Sequence, residues 1–309
     1  MTVRPVRPPD QDDLDRAWRA VSAVLAPTPL VDSELAPGAL LKLESLQPTG
    51  SFKVRGALAA LAEPPDDGPA VTASAGNHGL GMGFAAARTG ADVTVVVSTR
   101  ASRAKVEKIG AFPVRLVRHG TGYDEAEAHA MGLPGRYVSP YNDPAVIAGQ
   151  ATLGRELDAQ VEGPLTVVAP VGGGGLLAGL SLWARRRGGV RMVGVESARS
   201  RAVSAAVAAG RIVEVPVGAT IADGLSGNLE AGSVTPGLVR GAALVTVTDA
   251  EIRAALRWLF RAHGLVAEGS GAAGVAAVLA GKVEAAGRPV VLLTGRNITE
   301  AEYALALGD

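Results

Sequence analysis

Short runs rich in β-branched residues alternate along this chain with longer, alanine-rich segments. That is the pattern of a parallel sheet with helices on its faces. The spacing predicts a helix over 12–25, a turn at TPL (28–30) and a strand at ALLKLE (39–44). SFKVRGALAALAE (51–63) reads as a helix with Ser51 as its N-cap, stopped by PPDDGP. A strand at PAVTAS (69–74), a glycine-punctuated helix at GNHGLGMGFAAARTG and a strand at ADVTVVVS (91–98) follow. Next come a helix over 101–110, a strand at FPVRLV, a helix near 121–131 and a short strand at RYVSP. The second half predicts helix 143–160, strand LTVVAP, a glycine loop, helix 176–187 and strand VRMVGVE. After helix 198–209 lies an irregular stretch, 211–236, then strand ALVTVT, helices 249–263 and 270–286, and strand PVVLLTG.

The order implies an α/β protein of two units. A compact one, 66–142, is inserted in a larger one made of 1–65 and 143–309. A length of 309 residues suffices for one large or two ordinary domains. Scarce aromatics with abundant alanine, glycine and valine suit buried parallel strands under closely packed helices. Formal charge is zero and no charge block occurs, so nothing points to nucleic acid. The chain has no cysteine, which removes disulfides and thiolate metal sites and is compatible with the cytoplasm. The N-terminal residues lack the apolar core of a signal peptide. Residues 163–184 carry no charge, but Pro164, Pro170 and four consecutive glycines would break a spanning helix, so strand, turn and helix is the better reading.

Three loops and one lysine carry candidate chemistry. PVGGGGLLAG (170–179) joins a strand end, four glycines and a helix start, an arrangement that holds phosphate on backbone amides and a helix N-terminus. Gly173-x-Gly175-x-x-Ala178 also fits a dinucleotide fingerprint, with Glu196 where a ribose-binding acid belongs. This loop alone leaves a nicotinamide-dependent oxidoreductase open. SAGNHG (74–79) offers Asn77 and exposed amides at a helix start, suited to a carboxylate, although a plain Gly-Asn turn would read the same way. LLTGRN (292–297) ends a strand at Thr294, a residue able to donate or accept one hydrogen bond without carrying charge.

The lysine is Lys53, one of only five against 25 arginines, in PTGSFKVRGA (48–57). At the second position of a helix it feels the positive end of the dipole, which disfavours its ammonium form. Burial lowers its pKa further, and both effects favour the neutral amine that Schiff-base chemistry requires. A Schiff-base lysine, a phosphate cradle, a carboxylate loop and a neutral partner for a ring nitrogen are the fittings pyridoxal phosphate catalysis needs. A dehydrogenase would explain only the first loop.

PTGSFKVRGA, SAGNHG, DPAVIAGQATLGREL, VGGGGLLAG, TIADG, EGSGAAG and LLTGRN occur in the order found in pyridoxal-phosphate enzymes of fold type II. The chain resembles most the threonine/serine dehydratase and serine racemase group, from residue 28 to about residue 300. The resemblance implies two open, twisted, mostly parallel sheets flanked by helices, tryptophan synthase β-like, in a homodimer. It implies that Lys53 binds the cofactor aldehyde, that Phe52 packs near the pyridine ring and that Asn77 bonds the ring's phenolic oxygen. Ser74, Ala75, Gly76, Asn77 and His78 would line the substrate carboxylate site. Gly172, Gly173, Gly174 and Gly175 would hold the phosphate, Glu268 would lie near the ring and Thr294 would face the pyridine nitrogen. The implied reaction is β-elimination of water from a β-hydroxy amino acid such as threonine or serine, ending in a 2-oxo acid and ammonia. Racemisation, β-replacement, and elimination from 3-hydroxyaspartate or a diamino acid are the alternatives within the class.

The chain departs from the group at several positions. Racemase-type members carry a serine as second acid/base where this chain has Ala75, so dehydration with little racemisation is expected. The group's divalent metal site falls on Glu196, Ser200 and Ala202, leaving one carboxylate where two are needed for a hard cation, so no metal is expected. Arg296 replaces a glycine, and SPYND (139–143) stands where relatives read HPFDD. The end at Asp309, without a regulatory domain, leads to the expectation of a role free of isoleucine feedback.

Overall fold

The computed structural model describes residues 4–62 and 68–308. The junction expected at 65/66, and with it most of PPDDGP, lies outside the described residues. Among the described residues the strands form two sheets. The larger has the order β1 (Leu30–Asp32), β2 (Leu40–Lys42), β10 (Arg288–Leu292), β7 (Leu165–Pro170), β8 (Val190–Ser197), β9 (Ala243–Val247). The smaller has the order β5 (Arg115–Arg118), β4 (Val93–Val97), β3 (Ala70–Ala73), β6 (Arg136–Tyr137). Every pairing is parallel except that of β1 with β2. This is the α/β class of two mostly parallel sheets that the alternating pattern and the resemblance predict.

The helices are α1 (Gln11–Ser22), α2 (Lys53–Ala60), α3 (Asn77–Thr89), α4 (Arg103–Gly110), α5 (Tyr123–Gly132) and α6 (Pro144–Gln160). They continue with α7 (Gly175–Arg187), α8 (Ala202–Ala209), α9 (Thr235–Leu238), α10 (Asp249–His263), α11 (Gly269–Leu279) and α12 (Glu300–Leu307). Capping chemistry sets several of the starts. Asp143 accepts from the N–H groups of Ala145 and Val146 with Pro144 opening α6, and Thr248 and Glu251 form a capping box on α10.

Alternation within the strands builds the core. In β7, Leu165, Val167 and Ala169 join the apolar cluster under α6 and α7, while Val168 joins the one under α10 and α11. Both faces of the strand are therefore covered, and all six of its residues are buried. In the small sheet Val93, Val95 and Val97 face α2 and α3, and Val96 faces α5.

Some expectations shift. Ser51 does not cap α2. It is buried, its main chain bridges Gly295, and the N-cap residue is Phe52 without a side-chain bond, so Lys53 is the first helical residue rather than the second. The helix expected to reach 286 ends at Leu279, with Gly281 at φ +66°. The edge strand β1 and helix α12 follow no clear apolar periodicity and were not expected. The irregular stretch contains a short 3-10 turn, Asp223–Leu225, and the start of α9.

Candidate active site

The carboxyl ends of β2, β10 and β7 in one sheet and of β3 in the other carry the lysine turn and the three loops singled out above, where ligands of open parallel sheets bind. The turn before Lys53 is clipped to the loop after β10. The Phe52 N–H donates to the Thr294 carbonyl (3.0 Å), and the Arg296 N–H donates to the Gly50 carbonyl (2.9 Å). Thr294 is thereby held, buried, next to the residue preceding the lysine.

The Lys53 amine donates to the Pro140 carbonyl (2.7 Å) and lies 5.3 Å from the centre of the Phe52 ring. Burial lowers its pKa to about 8, against the opposing pull of Glu268. The residue after Pro140 closes the other side of the site. A side chain on Gly173 would run into the Tyr141 ring, and a Cβ on Gly175 would stand 2.7 Å from the Tyr141 carbonyl oxygen. Two adjacent residues thus separate the lysine amine from the glycine loop, so one compact molecule can touch both.

Residues 172–175 lead into α7, whose N-cap, Gly174, sits at φ +87° with no side-chain cap. An α-helix leaves its first N–H groups without internal partners, and here no side chain of the cap takes them, which fits an anionic ester group. Thr235 supports the loop from outside by donating its hydroxyl to the Gly173 carbonyl (2.7 Å).

The second loop has the same logic. α3 starts at Asn77 with Gly76 as an N-cap that makes no side-chain bond. The Ser74 hydroxyl accepts from the Gly76 N–H (3.1 Å) and shapes the turn. Residues 74–77 are partly exposed, whereas His78 is buried, with the Val138 main chain beside its ring. Burial first, and the charge of Lys53 second, depress its pKa to about 3, so the imidazole is neutral.

Glu268 is 8% exposed and sits at the N-cap of α11. Its Oε1 accepts from Asn77 Nδ2 (2.6 Å) and its Oε2 from the Asn297 N–H (3.0 Å). Burial and the charge of Asp223 raise its pKa to about 7, the two donors opposing. Gly295 must lack a side chain for this approach, since a Cβ there would meet the Glu268 carboxylate.

Three site residues escaped the sequence reading as such. Asn297 ends a motif whose threonine drew the attention. Tyr141 was noted only as a departure, yet its hydroxyl accepts from the Glu230 N–H (2.6 Å). Glu230 in turn accepts from Ser139 (3.0 Å) and pairs with Arg4 (3.0 Å), partners far apart in sequence.

Glu196, the acid of the dinucleotide fingerprint and of the group's metal site, is buried and committed elsewhere. It accepts from the N–H groups of Val203 (2.9 Å) and Ser204 (3.2 Å) at the start of α8. It has no free face for a ribose, which removes the reason for the oxidoreductase reading. Among the described residues no group of three or more His, Cys, Asp or Glu could hold a metal, and no helix is long and apolar enough to cross a membrane.

A family model described as "Pyridoxal-phosphate dependent enzyme" matches residues 21–295. The L-threonine ammonia-lyase of Thermotoga maritima is 36% identical over 303 residues, covering 93% of this chain and 75% of that protein. The catabolic L-threonine dehydratase of Escherichia coli is 34% identical over 271 residues, covering 84% of this chain and 82% of that protein. The structure of maize serine racemase superposes with a TM-score of 0.88 at 25% identity, covering 97% of each chain.

Proposed function

From the premise that the chain belongs to the family of pyridoxal-phosphate dependent enzymes, we propose that it is an ammonia-lyase. It removes water and then ammonia from a β-hydroxy amino acid, threonine or serine first, leaving a 2-oxo acid. The observation that carries this is the spacing of the Lys53 amine and the uncapped glycine loop across Pro140 and Tyr141. Pyridoxal phosphate bound there would supply an aldehyde for amines and an electron-withdrawing ring for the electrons released at Cα.

The chain's own groups fit that cofactor. The amides of residues 172–175 would hold its phosphate and Lys53 its aldehyde. Phe52 and Asn77 would flank the ring, and Glu268 and Thr294 would border it. The hydroxyl of Thr294 would offer the ring nitrogen an uncharged hydrogen-bond partner where a carboxylate would offer a charged one, which would favour elimination over racemisation. The α3 N-terminus, residues 74–78, would hold the substrate carboxylate. Lys53 would be the base at Cα, because an amine with a pKa of about 8 is about one-tenth neutral at pH 7, roughly 300-fold more than an ordinary lysine. Ala75 offers no proton to the opposite face of Cα, so elimination outruns racemisation. The same reading takes 1–65 and 143–309 as the cofactor-binding domain and 66–142 as the smaller one. It also takes the enzyme to be a cytoplasmic homodimer, supported by kinship with the dehydratase group.

The test is release of 2-oxo acid and ammonia by the cofactor-loaded protein from a panel of β-substituted amino acids. Threonine or serine should lead the panel, with racemisation below about a tenth of the elimination rate, a barrier difference of about 1.4 kcal/mol. No 2-oxo acid from any member would end this reading. Racemisation as fast as elimination would favour the racemase alternative.

A further inference from the structure

The Asn297 side chain touches both the lysine turn and the Asn77 amide of the other sheet's loop. Its Nδ2 donates to the Thr49 carbonyl (2.7 Å), four residues before Lys53, and to Asn77 Oδ1 (2.7 Å). Its main-chain N–H donates to Glu268 Oε2 (3.0 Å), while Asn77 Nδ2 donates to Glu268 Oε1 (2.6 Å).

The direction of this chain of bonds is forced from the Thr49 end and reinforced at the other when Glu268 is ionised. A main-chain carbonyl can only accept, so Asn297 must turn its Nδ2 toward Thr49. Both hydrogens of that nitrogen are then used, the second on Asn77. At the other end an ionised Glu268 is also an acceptor only, so Asn77 must present its Nδ2 there and its Oδ1 to Asn297. Turning the Asn77 amide over would oppose a carbonyl oxygen to the carboxylate and an NH2 to an NH2. One hydrogen of Asn77 Nδ2 remains uncommitted.

We propose that Asn297 is a positioning residue: it locks the Asn77 amide in the orientation that leaves an N–H donor, rather than an oxygen, for the ring oxygen of the bound cofactor. The same side chain ties that donor to the turn carrying Lys53, so that lysine and ring donor keep a fixed separation although they stem from different sheets. The inference rests on the cofactor reading above.

The substitutions Asn297→Asp and Asn297→Ala in the cofactor-loaded protein test it. The first is isosteric, cannot donate to Thr49 or Asn77, and rewards a turned-over Asn77 amide with a carboxylate to bond. The second only releases the amide. A donor to the ring oxygen favours the charge-separated, visible-absorbing form of the bound cofactor over the near-ultraviolet form. The visible to near-ultraviolet ratio should therefore fall by about threefold to tenfold in Asn297→Asp, and less in Asn297→Ala. The kcat should fall on the order of 10-fold to 100-fold in the same order, with KM moving much less. A merely structural role would lower the melting temperature of both variants but leave the ratio of the cofactor bands at the wild-type value, and that result would overturn the proposal. Equal band ratios and equal kcat losses in the two variants would also overturn it. If the Asn297→Asp protein does not fold, the Asn297→Ala spectrum decides alone. A wild-type protein that never develops a borohydride-sensitive visible band would sink the cofactor reading itself, which keeps the two failures apart.

Discussion

Two buried lysines sit on neighbouring stretches of this chain and do opposite things. Lys42, at the end of β2, is wholly buried and saturated: it pairs with Glu156 (2.6 Å) and donates to the Thr28 carbonyl (2.8 Å) and Gln160 (2.7 Å). Around it Arg55 takes both oxygens of Glu44 (2.7 Å each) and one of Glu156 (2.6 Å), and the Thr28 hydroxyl donates to Glu44 (2.6 Å). Two bases meet two acids, so the cluster is neutral and nearly every donor is used. Lys53 has one neutral acceptor, the Pro140 carbonyl, and feels Glu268 only through space. Burial lowers the pKa of both amines, but only Lys42 has an ion-paired carboxylate to hold its charge. Saturation makes a buried cation a staple, and withholding partners makes it a reagent.

The two regions are mechanically joined. Arg55 lies two residues beyond Lys53 on α2 and ties that helix to α6 and to the turn after β2. The charge cluster therefore fixes the base of the helix whose first residue is the proposed Schiff-base lysine.

The comparison breaks most severely at Arg55. Arg55→Met should cost about 3–5 kcal/mol by urea unfolding, because it leaves the buried Glu44 without a cation and Glu156 with Lys42 alone. A loss below about 1 kcal/mol would show that the cluster is not the staple described. Glu268 sharpens the other side. Its pKa in the fold, about 7, exceeds its ordinary 4.5, so the folded state holds the proton more tightly between those values. Its ionisation therefore erodes stability as pH rises from about 4.5 to 7, and the full cost is present above 7. In the cofactor-free protein Glu268→Gln should add about 3 kcal/mol of stability at pH 8 and less than about 1 kcal/mol at pH 5. Equal effects at the two pH values would contradict the assigned ionisation. The smallest effect belongs to Lys105, which pairs with Asp223 (3.0 Å) in a largely exposed contact between the two sheets. Lys105→Ala should change stability by less than about 1 kcal/mol, with the difference vanishing in high salt.

Much of this organisation is legible in the chain. LTVVAP becomes β7 over the residues predicted, and α10 runs over 249–263, because a fully buried strand and a boxed, amphipathic helix each carry strong local signals. The lysine turn and the glycine loops are equally readable, since backbone chemistry at strand ends needs particular residues. What escapes is set by distant partners. Ser51 has the side chain of an N-cap, but its backbone is claimed by Gly295 from the far end of the chain. Asn297 and Glu230 act through residues more than 80 positions away, and no periodicity marks them. Glu196 stands where a ribose or metal ligand would, and only the fold reveals that two N–H groups of α8 occupy it.

Borohydride reduction of the protein loaded with pyridoxal phosphate, followed by peptide mapping, tests the central claim most directly. All five lysines compete for the aldehyde in that experiment: Lys42, Lys53, Lys105, Lys108 and Lys282. The account predicts a pyridoxyl label on the peptide containing Lys53 and loss of the visible band on reduction. A label on Lys42 or on the surface lysines with Lys53 unmodified would contradict it.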